Sequence, residues 1–397
     1  MPYANAAPAA TAVNPTERFR RRPRDLVIAG LLAVAVAVSP THTAAAGSPG
    51  PATPPTGTPY LPAPTGPHPV GITSLHLTDE SRQDPWVPRA GPRELMVSLW
   101  YPAKSRGERR VQYMTPKESE LLLKGHQITS VPYDSFSKPR TNAYTDVQPV
   151  GGRHPLVLLS PGFTWYRTSL SALAEELASR GYVVASIDHT YENFATTFPD
   201  GRVITCATCN GEIEDFDKLV VDSRARDVSF VLDELLGRRG TLIDPSRIAM
   251  AGMSIGGASV GETMLTDPRV LAGANLDGTM FKPLAESGLS RPFMFFTQNA
   301  DDATLNRDWR RLTGWKRWLK VTGAVHASFA DHDTLSQQMG LDFGSKLAGT
   351  RSVEITRAYV AAFFDRHLRN RPQPLLERPS RHYPEVGFCT PEQKPCH

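Results

Sequence analysis

The chain has 397 residues and a formal net charge of +4, with 40% hydrophobic and 21% charged residues. That balance fits a globular protein and excludes a wholly disordered or fibrous one. The basicity is local: Arg18, Arg20, Arg21, Arg22 and Arg24 sit near the start, and the rest is nearly neutral, which leaves no electrostatic case for nucleic acid.

The basic flank Arg18–Arg24, the apolar run Leu26–Val38 and the small exit Ala44-Ala45-Ala46 read as a cleaved secretory signal peptide over residues 1–46. A membrane anchor is the alternative, but a run of this length spans only about 20 Å of helix against a hydrocarbon core of about 30 Å. Arg21-Arg22 raises twin-arginine export, yet Pro23-Arg24-Asp25 follows where apolar residues are wanted, so the route stays open. Residues 47–69 are rich in proline and carry no Asp, Glu, Lys or Arg, which predicts an extended linker. The catalytic unit is then expected over 70–397, without internal repeats.

Ile72–Leu77 and Leu95–Trp100 read as early strands. Leu156–Ser160 is a buried-type apolar run that stops at Pro161-Gly162. Ser169–Arg180 has helical spacing, and Val183–Ile187 is the next strand. A helix is expected over Ala225–Leu236, a strand over Ile248–Ala251 and a helix over Ile255–Leu265. Short strands follow at Gly273–Leu276, Phe293–Phe296 and Leu319–Val321, with a closing amphipathic helix at Val353–Leu368. Strands alternating with helices argue for a mostly parallel sheet covered on both faces. Lys104–Arg153 and His189–Ser223 break the alternation as inserts that shape a ligand site. Cys206, Cys209, Cys389 and Cys396 predict at least one disulfide in an exported chain, with the pairing open. The Cys-x-x-Cys pair lacks the further ligands that zinc needs.

Gly252-Met253-Ser254-Ile255-Gly256 reads G-x-S-x-G between a strand and a helix, the context of a nucleophile elbow. So tight a turn needs small residues two before and two after the serine. A serine hydroxyl is a poor nucleophile without a base and an orienting acid. His326, just after the last core strand, is the expected base. His332 is the rival, but its Asp331-His332-Asp333 setting suggests a helix cap or a water-facing cluster, and His189 falls on the wrong strand. For the acid, spacing favours Asp301 or Asp302, whereas Asp277 stands in an apolar segment where a carboxylate needs a partner. The oxyanion donors are expected to be the amides of Ile255, at a helix N-terminus, and Phe163. Trp165 and Tyr166 are expected to line the acyl side together with Phe163.

The stretches Pro155–Tyr166, Leu177–His189, Arg224–Leu235, Ile248–Ala258, Asn275–Phe281 and Gly323–Asp331 together resemble the platelet-activating factor acetylhydrolase family. The resemblance implies an α/β-hydrolase fold, with inserts over the site, and a Leu-Asp motif for the acid, met by Leu276-Asp277. It also implies a G-x-x-H-x-x-F-x-D motif, met by Gly323, His326, Phe329 and Asp331. Ser254, Asp277 and His326 are then the triad, and Phe163 and Ile255 the oxyanion donors. Pro161-Gly162 departs from the His-Gly frequent in that family and looks like secreted lipases and polyester hydrolases. The expectation is a secreted carboxylic ester hydrolase that needs no metal or organic cofactor. It would take short-chain acyl esters, including short 2-acyl phospholipids, with transient contact to a lipid surface. A lipase or cutinase-like polyester hydrolase is the alternative, and a catalytically silent binding module a further one. The oligomeric state is open.

Overall fold

The computed structural model describes residues 57–210, 213–392 and 396. The expected signal peptide and the first part of the expected linker lie outside them. In chain order the strands are β1 Val70–Gln83, β2 Pro92–Pro102, β3 Arg110–Gln112, β4 Arg140–Tyr144, β5 His154–Ser160, β6 Val183–Asp188 and β7 Thr196–Thr197. They continue with β8 Val203–Ile204, β9 Ile243–Met253, β10 Val270–Leu276, β11 Phe293–Thr297, β12 Lys316–Val321 and β13 Val386–Cys389. The helices are α1 Pro116–Gly125, α2 Ser171–Ser179, α3 Phe216–Arg239, α4 Ile255–Thr266, α5 Ala303–Trp309, α6 Asp331–Gln338 and α7 Arg351–Arg369.

One sheet carries the site, in the order β13-β12-β11-β10-β9-β5-β6-β2-β1-β4-β3. Its centre, from β12 to β6, is parallel; β2 pairs antiparallel with β6, and β13 pairs antiparallel with β12. The parallel strands are apolar throughout because both their faces are covered. Alternation assigns the faces: Val157, Leu159 and Val184 join α2 and α7 on one side, packed with Leu173, Leu177, Tyr359 and Phe363. Leu156, Leu158 and Val183 turn to the other side and meet Val228, Val231 and Leu232 of α3 and Val260 of α4. The expected sheet architecture is thus present.

Four details differ from the sequence reading. Helix α3 begins at Phe216, inside the second insert, rather than at Ala225. Three short helices, α1, α5 and α6, the insert strands β3, β4, β7 and β8, and the edge strand β13 were not anticipated. The described part of the linker is not free. It is a strap tied to the body: Leu61 is buried, the Leu61 amide donates to the Arg140 carbonyl, and the Thr65 amide donates to the Glu176 carboxylate at 2.8 Å. Burial of Leu61 and pairing of the strap's backbone offset the ordering cost that argued for an open spacer. Both cysteine pairs close locally, Cys206 with Cys209 and Cys389 with Cys396.

Candidate active site

The strand-to-helix turn after β9 leaves no room for side chains. A Cβ on Gly252 would lie 2.1 Å from the Gly256 carbonyl oxygen, and one on Gly256 would lie 2.1 Å from the Ser160 oxygen. Both glycines are therefore dictated by close backbone approach. Between them Ser254 adopts φ +56°, ψ −128°, a conformation costly for a side-chain-bearing residue. The Ser254 amide is held by the Leu276 carbonyl at 2.8 Å.

Asp277 follows β10 and is also left-handed, at φ +54°. Its amide donates to the Phe296 carbonyl at 2.9 Å. Asn275 fixes the turn, accepting from the Gly278 amide at 2.7 Å and donating to the Gly278 carbonyl at 2.8 Å. Gly278 passes directly over the elbow; a Cβ there would lie 2.1 Å from the Ser254 carbonyl oxygen. Asp277 accepts at 2.6 Å from His326 Nδ1, and at 2.9 and 2.8 Å from the backbone and side-chain nitrogens of Gln298. The Asp277 side chain is buried and that of His326 is about a third exposed. Gln298 was missed by sequence reasoning. Its signal lies in the strand pairing and not in the local sequence: β10 and β11 run parallel with Leu276 opposite Phe296, so a polar residue just past β11 faces the turn after β10.

His326 stands in a loop that Gly323, at φ +85°, turns back over the sheet. The loop is braced by Ser328, whose hydroxyl accepts from the Val325 amide at 3.0 Å and donates to Asp333 at 2.6 Å. Asp302, the rival acid, is engaged elsewhere: it caps α5 by accepting from the Thr304 and Leu305 amides.

The loop after β5 packs on the elbow. A Cβ on Gly162 would lie 3.3 Å from Ser254 Cβ and 3.6 Å from Trp165. Among the described residues, neither the Phe163 nor the Ile255 amide has a backbone acceptor. Phe163 and Ile255 join an apolar wall with Phe216, Phe281 and Trp86. Trp165 lies 6.2 Å from the His326 ring and 4.3 Å from the His332 ring.

Two expectations fail here. Tyr166 does not line the site. It is buried among Tyr113, Leu122, Phe136 and Leu335, and its hydroxyl donates to the Glu118 carbonyl at 3.1 Å. The first insert covers it, because a large ring removed from water gains more by packing than by standing at a rim. His332 neither faces water nor caps a helix; it is buried in α6 with neither ring nitrogen hydrogen-bonded. That burial lowers its pKa to about 3. His189 is likewise buried, with both ring nitrogens engaged, by Ser160 and Asp227.

Among the described residues, His189, Glu192 and Asp227 are the set whose ligand atoms cluster closely enough for a metal. Arg224 pairs with Glu192 and Arg93 with Asp227, so guanidinium groups already supply the positive charge there.

The model of the family "platelet-activating factor acetylhydrolase, isoform II" matches residues 56–202 and 200–371. A probable 1-alkyl-2-acetylglycerophosphocholine esterase of Arthroderma benhamiae is 28% identical over 83% of this chain and 93% of its own. The platelet-activating factor acetylhydrolase of Cavia porcellus is 25% identical over 68% of this chain and 69% of its own. A solved ferulic acid esterase from Streptomyces cinnamoneus is 42% identical and superposes with a TM-score of 0.78, covering 84% of this chain and 100% of its own. A serine on a strained elbow beside a paired acid and imidazole thus recurs in a chain whose relatives are esterases: this protein belongs to the platelet-activating factor acetylhydrolase family and is a carboxylic ester hydrolase of the α/β-hydrolase fold.

Proposed function

We propose that this chain is an exported serine esterase for short-chain acyl esters, including short 2-acyl groups of glycerophospholipids, with Ser254, His326 and Asp277 as its triad. The observation that carries the assignment is the 2.6 Å contact of His326 Nδ1 with an Asp277 carboxylate held by Gln298, beside the elbow serine.

With Nδ1–H donated to Asp277, the His326 tautomer leaves Nε2 free to accept a proton. Ser254 Oγ attacks the ester carbonyl and its proton passes to Nε2. The Phe163 and Ile255 amides donate to the oxygen as it becomes an oxyanion. Collapse breaks the bond to the leaving alcohol, which takes the proton from His326. Water then attacks the acyl-serine with His326 again as base, releasing the acid and restoring Ser254. Asp277 stabilises the imidazolium in both halves. Backbone donors supply the charge stabilisation, so EDTA should leave turnover unchanged.

The lean to short acyl groups rests on the walls. Phe163 and Phe216 rings lie 5.1 Å apart, and Trp165 stands 6.2 Å from the His326 ring. A group that fits gains about 0.8 kcal/mol per methylene, whereas overpacking costs about 1–3 kcal/mol. Similarity to a ferulic acid esterase favours a second reading, esters of aromatic acids, for which the same walls would stack on the ring. Export is supported by the two disulfides, which are at home in oxidising compartments.

The test is kcat/KM on nitrophenyl esters below micelle formation, run beside methyl ferulate and a 2-acetyl glycerophospholipid. A maximum at about two to six carbons with at least a tenfold fall by about twelve supports the short-acyl reading. Preference for ferulate establishes the second reading, and a profile still rising at long chains supports a lipase or polyester hydrolase. Ser254→Ala should lower turnover by about 10³-fold or more in a folded protein. N-terminal sequencing of protein from the medium should begin just after Ala46.

A further inference from the structure

The loop that carries the Phe163 amide stiffens itself only in part. Gly162 has no side chain, and a Cβ there would crowd Met253 Sδ at 3.0 Å and Ser254 Cβ at 3.3 Å. A glycine peptide flips readily between conformations, and a flip would turn the Phe163 N–H away from the elbow. Because a peptide unit is planar, holding the carbonyls on either side of Gly162 aims the amide that follows. The Gly162 carbonyl accepts from the Trp165 amide at 3.2 Å. The Pro161 carbonyl accepts from Arg224 Nη1.

Arg224 is buried, and its Nε and Nη1 are both engaged. Its Nε donates to Glu192 at 2.7 Å, and Nη1 also reaches Ser160 Oγ at 3.2 Å. Glu192 then grips the far end of the loop: its backbone carbonyl accepts from the Thr164 amide at 2.8 Å, and Thr164 sits at φ +68°. Arginine and glutamate therefore bracket Phe163. The proton directions behind them are consistent. Ser160 accepts from Arg224 and donates to His189 Nε2 at 2.9 Å, and His189 Nδ1–H donates to Asp227 at 2.7 Å. Arg93 closes the network on Asp227 at 2.8 Å and on Asp84 at 2.7 Å. A lysine could not reproduce this, because its single nitrogen cannot span the Glu192 carboxylate and the Pro161 carbonyl, which Arg224 meets from Nε and Nη1 of a planar fork.

We propose that Arg224, braced by Glu192, is a positioning residue for ester hydrolysis that locks the Phe163 amide toward the reacting carbonyl. The proposal rests on the reading of Phe163 and Ile255 as oxyanion donors around Ser254. It predicts a defect confined to charged states: substrate binds normally, and stabilisation of the developing oxyanion is lost.

The test compares the parent, Arg224→Lys and Ser254→Ala. An aryl trifluoromethyl ketone, which adds to a serine as an anionic hemiketal, serves as the transition-state probe. In Arg224→Lys, kcat should fall roughly 10–100-fold with KM within about threefold. The ketone inhibition constant should rise by a matching factor. The end-point fraction of enzyme labelled by a fluorophosphonate should stay parental. Ketone affinity equal to the parent's, or activity lost only in proportion to the labelled fraction, overturns the positioning role. If Arg224→Lys does not fold, Glu192→Gln is read by the same three measurements and the same criteria. Ser254→Ala that keeps its turnover and its ketone affinity overturns the nucleophile reading instead, so the two failures are distinguishable.

Discussion

At the scale of single residues, the decisive contrast is between carboxylates of similar sequence setting. Asp277 and Asp302 both follow core strands, but Asp277 accepts from His326 and Asp302 from the first turn of α5. Asp277→Asn should therefore lower kcat by about 10⁴-fold, since the imidazole loses its orientation and counter-charge. Asp302→Asn should keep turnover within about tenfold and cost under about 1 kcal/mol, since asparagine also caps helices. A crippled Asp302→Asn beside a mild Asp277→Asn would transfer the acid role. Legibility at this scale followed backbone constraint. Gly252 and Gly256 were readable because the turn admits nothing larger, and Asp277 became readable through the Leu-Asp motif. Gln298 was not, because its importance comes from the pairing of β10 with β11, which no local pattern carries. Tyr166 was misread for the complementary reason: its cover comes from residues of the first insert, distant in sequence.

At the scale of elements, the parallel strands were legible as uninterrupted apolar runs, α2, α7 and the Ala225–Leu236 part of α3 as periodic ones, and α4 from its small residues after the elbow. Helices α5 and α6 escaped because so few turns hardly establish a period. Helix α6 carries the buried His332, packed on Trp165 and Phe136. Burial lowers its pKa from 6.5 to about 3, and that of neighbouring His126 from 6.5 to about 4. A folded-state pKa below the unfolded one means that acid favours unfolding. Above about pH 6.5 both states are neutral at these rings; below it the unfolded chain binds protons that the folded chain refuses, down to about pH 3–4. Replacing His332 with leucine removes one such site and two unpaired nitrogens. Chemical denaturation should give His332→Leu a stability within about 1 kcal/mol of the parent at pH 8. At pH 5 the variant should gain about 2 kcal/mol relative to its own offset at pH 8. Parallel pH profiles would contradict the assignment.

At the scale of the whole molecule, the sheet and its two covered faces hold the fold, and the disulfides trim it. Their cysteines are separated by 3 and 7 residues. Loops so short restrict the unfolded chain by only about 2 kcal/mol each, against about 5–15 kcal/mol for a whole domain. Reduction should lower the unfolding midpoint by several degrees while the protein keeps a cooperative transition and its activity at 25 °C. Collapse of the near-ultraviolet circular dichroism on reduction alone would show that the cross-links do more. The architecture was legible from strand and helix alternation, whereas the docked strap was not, since its composition alone describes a spacer.

That strap also imposes an order in time. The Ala63 carbonyl is held by Arg357 of α7, 294 residues further along the chain, and the Tyr60 amide by Gln338 of α6. A chain that emerges N-terminus first makes these contacts only after nearly everything else has been delivered. Loop closure over such a separation contributes little until the far partner is already in place. The Tyr60 and Ala63 contacts are thus among the last to form, and a chain lacking α6 and α7 still holds the strap at Arg140 and on α2, where Glu176 and Ser179 receive Thr65 and Gly66, but leaves its other side unfastened.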